Sequence, residues 1–477
     1  MRLKQSAQVF LILGSLFCIT TLLYFVGTHT EAGNRQLARL TLKFGDRLDQ
    51  ILPFKDKDPP SPYTSAASKL ESLFSPPHPS VKIGGYHQWN AQSMRDLDSC
   101  ILLDNCGPNQ KKVALLAAHW FEESLIRGFR GGEGIWAMSV YKNLHRLGYT
   151  TLFATSYEEA LYIYRSMPDL IKVVIRNQAG LCHLDPQCIK SPSNPTGIPA
   201  WKLFEFEYFP QLGGQHDKSR MQGKWILSAM PAAEWHKGND PIQYIGFAIE
   251  DDCAKMPVVP LSERPNRLWM LMKEIVYVYH DDFAWNRSYF PLAAKELEIQ
   301  FIGGWGFDQK YHWDPEKDGL MADIEDRAKG VINLGHMKQE DFFRQVSLSR
   351  VMVGMGWPLW SPSPFNSLCQ GVPFLNPVLQ WDENDPWNKK KWYSQNPTIA
   401  EFDEPYVYHV HRGDYDGFIN AIKKASTTPI EPFIPEFMTE KALQGRLMML
   451  METDWRAEAV VLLKERLTQP GSFTFEI

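Results

Sequence analysis

Glu133 stands directly behind Gly131-Gly132, where the apolar strand-like run Lys112 to Ala118 gives way to helical apolar spacing over Ile135 to Leu147. A carboxylate in the first turn of a helix is stabilised by the helix dipole and stays ionised at neutral pH. Such a group can take the proton of a hydroxyl nucleophile. It can also be an ordinary acidic residue of a helix start. A second stretch, Gly354 to Pro377, reads as the end of a strand (Arg350 to Val353), a Gly/Pro-rich loop, a short helix from about Pro364 to Gln370, and a buried strand, Val372 to Leu375. In a parallel α/β sheet such a loop lies at the carboxyl end of a strand, where ligands bind, and the helix start behind it favours phosphates. Gly354 and Gly356 are expected to let the backbone approach a ligand, while Pro358, Pro362 and Pro364 stiffen the loop. A rigid surface connection is the competing reading. Lys273, on an apolar approach to the same region, is the better-placed phosphate ligand.

Other chemistry-bearing patterns carry less. Asp96-Leu-Asp98 and Asp414-Tyr-Asp416 have the spacing of a metal-holding acidic pair, but two aspartates so placed read as solvated carboxylates, and no Cys or His spacing suggests zinc. No metal is expected. Asp251-Asp252 and Asp281-Asp282 follow strand-like runs and are weak signals. Lys389-Lys-Lys391 reads as a solvated face. His409, His411 and Arg412 follow another strand-like run, where core or surface roles are favoured. There is no GxGxxG fingerprint and no P-loop.

The elements that must position these residues come in two series. Strand-like runs at Lys112 to Ala118, Thr150 to Thr155, Ile171 to Ile175 and Tyr244 to Ile249 alternate with helical patterns such as Tyr157 to Met167. After a break at Pro257 to Pro265, further runs follow at Ile275 to Tyr279, Leu297 to Ile302, Gly330 to Leu334, Val351 to Val353 and Val372 to Leu375, with a helix over Lys338 to Ser349. The simplest architecture is α/β, with two consecutive Rossmann-like, doubly wound domains facing a cleft (111–265 and 266–425) and a C-terminal helical segment (426–477).

The N-terminus reads differently. Val9 to Gly27 is nearly continuous apolar sequence, and 19 residues at about 1.5 Å each span roughly 28 Å, enough to cross a bilayer core. Arg2 and Lys4 precede it, which favours a cytoplasmic tail (1–8), an uncleaved signal anchor (9–27) and a lumenal body; a cleaved signal peptide is the competing reading. Residues 28–110 read as a stem, with a Pro/Ser/Lys-rich spacer at Pro53 to Ser80. Of the seven cysteines Cys18 falls in the apolar segment. Among the other six, Cys100/Cys106 and Cys182/Cys188 are the local disulfide candidates, although fifteen pairings are formally possible. Asn286-Arg-Ser288 is the one glycosylation sequon not blocked by proline. A net charge of -5 argues against nucleic acid as the main partner.

The run Val351 to Pro377 resembles the donor-site signature of the α-1,6-mannosylglycoprotein 6-β-N-acetylglucosaminyltransferases, glycosyltransferase family 18. Ser361-Pro-Ser-Pro364 and Gln370-Gly-Val-Pro-Phe-Leu-Asn-Pro377 stand where that family has its loop and second strand, and Gly223-Lys-Trp225 and Tyr244-Ile-Gly-Phe-Ala-Ile-Glu250 resemble segments between its two halves. The resemblance, over roughly Lys112 to Lys424, implies a GT-B fold, with acceptor half first and nucleotide-sugar half second. It also implies metal-independent, inverting transfer of N-acetylglucosamine from UDP-GlcNAc to a mannose 6-hydroxyl of an N-glycan, in the Golgi. Glu133 falls on the catalytic carboxylate, beside Gly131 and Gly132 in the acceptor cleft. Gly354, Gly356, Ser361, Ser363, Asn366 and Lys273 fall on the donor side. Trp360 and Asn366 replace the two glutamates of the family's loop, so a neutral amide stands where a carboxylate would meet the donor ribose. A GT-B transferase with another donor or acceptor, or a non-catalytic lumenal glycan-binding protein, remains an alternative.

Overall fold

A computed structural model describes residues 86–177, 179–208, 221–230, 242–279, 283–306 and 330–477. The expected tail, signal anchor and stem up to residue 85 lie outside the described residues, as do Asp281 and Asp282. Residues 86–110, expected as stem, belong instead to the folded body. Helix α1 (His87–Leu102) buries Met94, Leu97 and Cys100 in one cluster with Val113, Leu115 and Leu152. The Asn90 amide pairs with both the N–H and the C=O of Phe153, each at 2.8 Å. That contact satisfies an edge strand that would otherwise present open backbone groups.

The first sheet is wholly parallel. Its elements run β1 (Val113–Leu116), α2 (His119–Leu125), α3 (Gly132–Arg146), β2 (Thr150–Phe153), α4 (Tyr157–Ser166), β3 (Ile171–Arg176), β4 (Leu203–Glu207), β5 (Ile226–Ser228) and β6 (Gln243–Tyr244). The strand order is β2-β1-β3-β4-β5-β6. β1 and β2 are buried at every position, as a sheet covered by helices on both faces requires.

The second sheet follows with β7 (Arg267–Leu271), α5 (Tyr289–Leu297), β8 (Gln300–Gly303), β9 (Val331–Asn333), α6 (Gln339–Ser347), β10 (Met352–Gly354), α7 (Ser363–Cys369), β11 (Phe374–Gln380), β12 (Tyr393–Ser394), β13 (Val407–His411) and α8 (Tyr415–Thr427). Parallel pairings give the order β9-β8-β7-β10-β11-β13, with β12 antiparallel on β11. The direction of winding reverses between β7 and β10, and ligands of open α/β sheets bind outside the carboxyl ends of strands at such a reversal. Side chains alternate faces along β7: Leu268 and Met270 join one apolar cluster, Trp269 and Leu271 another. The latter cluster is continuous from Ala114 and Phe206 of the first sheet, through Trp360 and Phe365, to Met352 and Phe374 of the second.

Two expected strands differ. Tyr244 to Ile249 stops being strand at Tyr244, because Gly246 turns left-handed (φ 68°) and the Ile245 carbonyl is taken by Arg446 Nε at 2.6 Å. Ile275 to Tyr279 contains a helical turn, Val276–Tyr279; the strand is the preceding Arg267–Leu271, which pairs on both sides. Short apolar runs do not separate the two conformations by periodicity. Both local disulfides form, and the third is Cys253–Cys369, which ties the segment between the sheets to α7.

Helices α9 (Glu440–Glu452) and α10 (Trp455–Leu467) return to the first half of the chain. Glu452 meets Lys112 at 2.5 Å and the Tyr149 hydroxyl at 2.6 Å, and Arg466 donates to the Met221 carbonyl at 2.6 Å. Leu443, Leu447 and Leu450 are fully buried in the cluster that holds Val140 and Leu144 of α3. Leu447→Ala is therefore expected to cost ~2–5 kcal/mol. Met448→Ala, at a neighbouring exposed position, is expected within ~0.5 kcal/mol of the parent. Denaturant melts of the two variants beside the parent check this, and equal melts would remove α9 from the core.

Candidate functional site

At the β7/β10 reversal lies a cleft of about 310 Å³. One wall comes from the start of α3: Arg130, Gly131, Gly132 and Ile135. The other comes from the second sheet: Lys273 after β7, His336 after β9, and Ser361, Ser363 and Asn366 at the start of α7. Residues separated by more than two hundred positions thus meet at one place.

Each candidate has a defined environment. Lys273 is exposed and its side chain has no partner among the described residues, while its backbone carbonyl accepts from Gly306 N at 3.0 Å. The Ser361 hydroxyl donates to Ser363 Oγ at 3.1 Å and accepts from the Ser363 amide at 3.3 Å, which closes the turn into α7. Asn366 is 4% exposed, and its Oδ1 is buried without a hydrogen-bond partner. An orphaned acceptor in a cleft wall costs stability unless a donor arrives. Trp269 Nε1 is a buried, unpartnered donor on the same wall.

Gly354 and Gly356 do not line the cleft, contrary to expectation. A Cβ on Gly354 would lie 2.5 Å from Gln395 Oε1 and 2.6 Å from Pro377, and one on Gly356 would lie 3.0 Å from Ala284 N. Gly356 also has φ 90°, which favours glycine. Both serve close packing beneath the loop.

Glu133 lies in the first turn of α3 and is half-buried. At 100° per residue its side chain leaves the helix on the side away from Ile135, so it does not join the cleft wall. Tyr208, just after β4, lies near enough to feel its charge. Burial, and then the charge of Glu133, push the Tyr208 phenol well above its ordinary pKa. The Tyr208 hydroxyl donates to the Trp360 carbonyl at 3.2 Å. It also explains Gly132, where a Cβ would lie 2.5 Å from the Tyr208 oxygen. Gly132, Tyr208 and Trp360 therefore form one contact between the two halves, with Glu133 beside Gly132 in α3. Trp360 itself is a bulky residue at φ 51°, a strained conformation.

The residues that hold the loop escaped sequence reading. Gln395 is buried; its Oε1 accepts from Gly356 N at 2.9 Å, its Nε2 donates to Pro358 O at 3.2 Å, and its carbonyl accepts from Trp360 N at 3.0 Å. Asn396 Nδ2 donates to Ser361 O at 3.2 Å, and Asn396 N donates to Asn376 Oδ1 at 3.3 Å. Asn376 in turn faces His409 Nδ1 at 3.3 Å, and His409 Nε2 lies 2.7 Å from Phe402 O. These partners fix the neutral tautomer with the proton on Nε2. Burial pushes the imidazole down to about 4. His409 is a buried scaffold group, and Asp414 caps α8 by accepting from Gly417 N at 2.8 Å. Lys389 pairs with Asp403 at 2.6 Å and Lys391 with Asp382, away from the cleft. Among the described residues no group of three or more His, Cys, Asp or Glu is placed to hold a metal ion. Asn286 is exposed just before α5.

Residues 321–459 match the model of glycosyltransferase family 18, a span that includes α7 and its loop. That part of the chain is similar to glycosyltransferase family 18. It is 26% identical over 144 residues to the alpha-1,6-mannosylglycoprotein 6-beta-N-acetylglucosaminyltransferase of Caenorhabditis elegans, covering 28% of this chain and 21% of that one. It is 26% identical over 271 residues to the Homo sapiens enzyme A of the same name, covering 52% and 33%. The match thus spans about a fifth to a third of these relatives' length. The fold is similar to AviGT4, a glycosyltransferase of avilamycin A biosynthesis (14% identity, TM-score 0.38, covering 76% and 98% of the two chains). It is also similar to Anabaena HepE in complex with UDP (8%, 0.38, 75% and 99%).

Two outcomes test the scaffold that holds the loop. Gln395→Ala strips partners from a buried N–H and a carbonyl, with an expected loss of ~1–3 kcal/mol and a loosened loop. Unchanged melting would exclude Gln395 as its support. For His409, the unfolded chain takes up a proton near the ordinary value of 6.5 and the folded chain only near 4, so its contribution to stability falls as pH is lowered through that window. His409→Gln is expected to flatten the melting temperature against pH between those values relative to the parent.

Proposed function

We propose that this protein is an inverting glycosyltransferase that moves N-acetylglucosamine from UDP-GlcNAc to the 6-hydroxyl of an α-mannose on N-glycans. The single observation that carries the reading is the cleft at the β7/β10 reversal, with part of the family 18 match forming one wall and the Gly131-Gly132 turn forming the other. The relatives' activity supports the donor and acceptor assignment, and the two doubly wound sheets suit the GT-B arrangement. In this proposal the organisation is that of a Golgi type II membrane protein with a lumenal body and Asn286 glycosylated.

In the proposed reaction the acceptor O6 attacks the anomeric carbon, forming the O6–C1 bond as the C1–O bond to the diphosphate breaks. The electron pair leaves with UDP, and, with the acceptor lying across Gly132 on the side of α3 that carries Glu133, the hydroxyl proton passes to the Glu133 carboxylate. Tyr208 is the positioning residue, because it abuts Gly132, feels the Glu133 charge and reaches the Trp360 carbonyl. Lys273 offers positive charge to the diphosphate, with Arg130 and His336 on the facing walls. The unpartnered Asn366 Oδ1 suits a donor hydroxyl, such as that of a ribose, and Ser361 and Ser363 hold the turn that presents it. No step in this scheme calls for a metal ion, and the donor is the only small molecule required.

Turnover of UDP-GlcNAc by the full-length protein on mannose-terminated N-glycans, with EDTA present, tests the reading. Glu133→Gln is expected to lower kcat by ~100-fold or more with little change in KM. Tyr208→Phe is expected to lower kcat less. Equal kcat for parent and Glu133→Gln would remove Glu133 as base. Stabilisation by UDP without transfer would point to another donor sugar or acceptor, and no stabilisation by any nucleotide would favour a non-catalytic glycan-binding protein.

A further inference from the structure

A second cavity, of about 700 Å³, lies at the other end of the second sheet, by the amino ends of β7, β10 and β11. Arg264 enters it from the segment before β7, and Arg350 from just before β10. Arg264 is 4% exposed, yet its guanidinium meets only carbonyls: Val259 and Gly371 at 2.8 Å, Gln370 at 3.1 Å and Ser349 at 3.4 Å. Arg350, which is half-buried, also meets only carbonyls, with Nε and Nη2 on Arg264 O at 3.3 and 3.2 Å and Nη1 on Ser426 O at 3.5 Å. A guanidinium carries five N–H groups, so both residues keep donors that no carbonyl takes. Neither cation pairs with a carboxylate among the described residues, and Glu431, which also lines the cavity, is exposed. Burial, and then the like charge of Arg350, push the Arg264 guanidinium down to about 10.

A third group points the same way. Ser426, 7% exposed, lines this cavity with its hydroxyl buried and unpartnered. Two neighbouring cations and an orphaned hydroxyl are costly as they stand, because carbonyl dipoles do not neutralise the charge. Guanidinium forks match the oxygens of phosphate and sulfate, and a serine hydroxyl can donate to the same group. We propose that Arg264, Arg350 and Ser426 form a binding site for a tetrahedral oxyanion, a phosphate or sulfate ester on a larger molecule, separate from the cleft. The larger carrier follows from the volume, which far exceeds the roughly 30 Å³ share of one water. The inference does not depend on the transferase reading.

The test is isothermal titration of the full-length protein with inorganic phosphate, inorganic sulfate, glucose 6-phosphate and glucosamine 6-sulfate at constant ionic strength. The parent is expected to bind the esters more tightly than the free ions. Arg350→Met is expected to weaken binding at least ~10-fold, and Ser426→Ala about 3- to 10-fold. Ser426→Ala breaks no hydrogen bond of its side chain, so its melting without ligand should match or exceed the parent's. Lys273→Met removes one of the cleft's two permanent cations, the other being Arg130, and should leave ester binding unchanged. Binding lost in Lys273→Met but kept in Arg350→Met would overturn the site, as would affinities equal in the parent and in both cavity variants. Binding of the free ions alone would overturn the assignment of a larger carrier.

Discussion

The cleft exists because buried side-chain amides do the work of a missing strand. Between Met355 and Pro362 the chain has no ladder to satisfy its backbone groups, and a buried unpaired group costs about as much as a lost hydrogen bond. Gln395 and Asn396 meet that need for Gly356, Pro358, Trp360 and Ser361. They are themselves fixed by β11 and β12, since Gln395 N donates to Pro377 O and Asn396 N to Asn376 Oδ1. The loop is therefore as rigid as the sheet beneath it. Rigidity of this kind is what a site needs if its polar groups are to meet a ligand without reorganising.

The same loop also joins the halves of the molecule. Trp360 adopts its strained backbone while its N–H is held by Gln395 and its carbonyl by Tyr208. Its side chain lies in the apolar cluster that continues into the first sheet. Cys253–Cys369 ties the segment between the sheets to the end of α7, and α9 and α10 tie the C-terminus back to the first sheet. These constraints hold the α3 start against the α7 start. A shift of either half moves Glu133 relative to Asn366 and Lys273, so geometry at the site and cohesion between the sheets are one property.

The alternation of strands and helices was legible wherever a strand was buried on both faces, as in β1, β2, β10 and β11, because such runs are apolar throughout. The start of α3 was legible from Gly131-Gly132-Glu133, and the two short-range disulfides from cysteine spacing. The errors have local causes: Gly246 ends a run that looks extended, and Ile275 to Tyr279 is as apolar as the strand before it. Of the residues that line the cleft, Lys273 was singled out by its apolar approach, and Ser361, Ser363 and Asn366 through the family resemblance of the loop. Gln395 and Asn396 were not, since their partners lie more than thirty residues away and nothing near them in sequence marks the role. Tyr208 was missed for the same reason, although it explains why position 132 has to be glycine.

Replacement of a carboxylate by Asn366 is best judged by its surroundings. A carboxylate buried to the same degree would need a cation or several donors to stay ionised, and the Asn366 Oδ1 has neither. The neutral amide avoids that desolvation and keeps an acceptor for a hydroxyl, at the cost of the stronger, charge-assisted bond. Trp269, Met337, Phe342 and Phe343 add apolar area to the polar groups of the same wall, so a ligand that buries a flat ring there and offers one hydroxyl suits it. The amide is thus consistent with the pocket around it, which holds an unpaired acceptor rather than a buried charge.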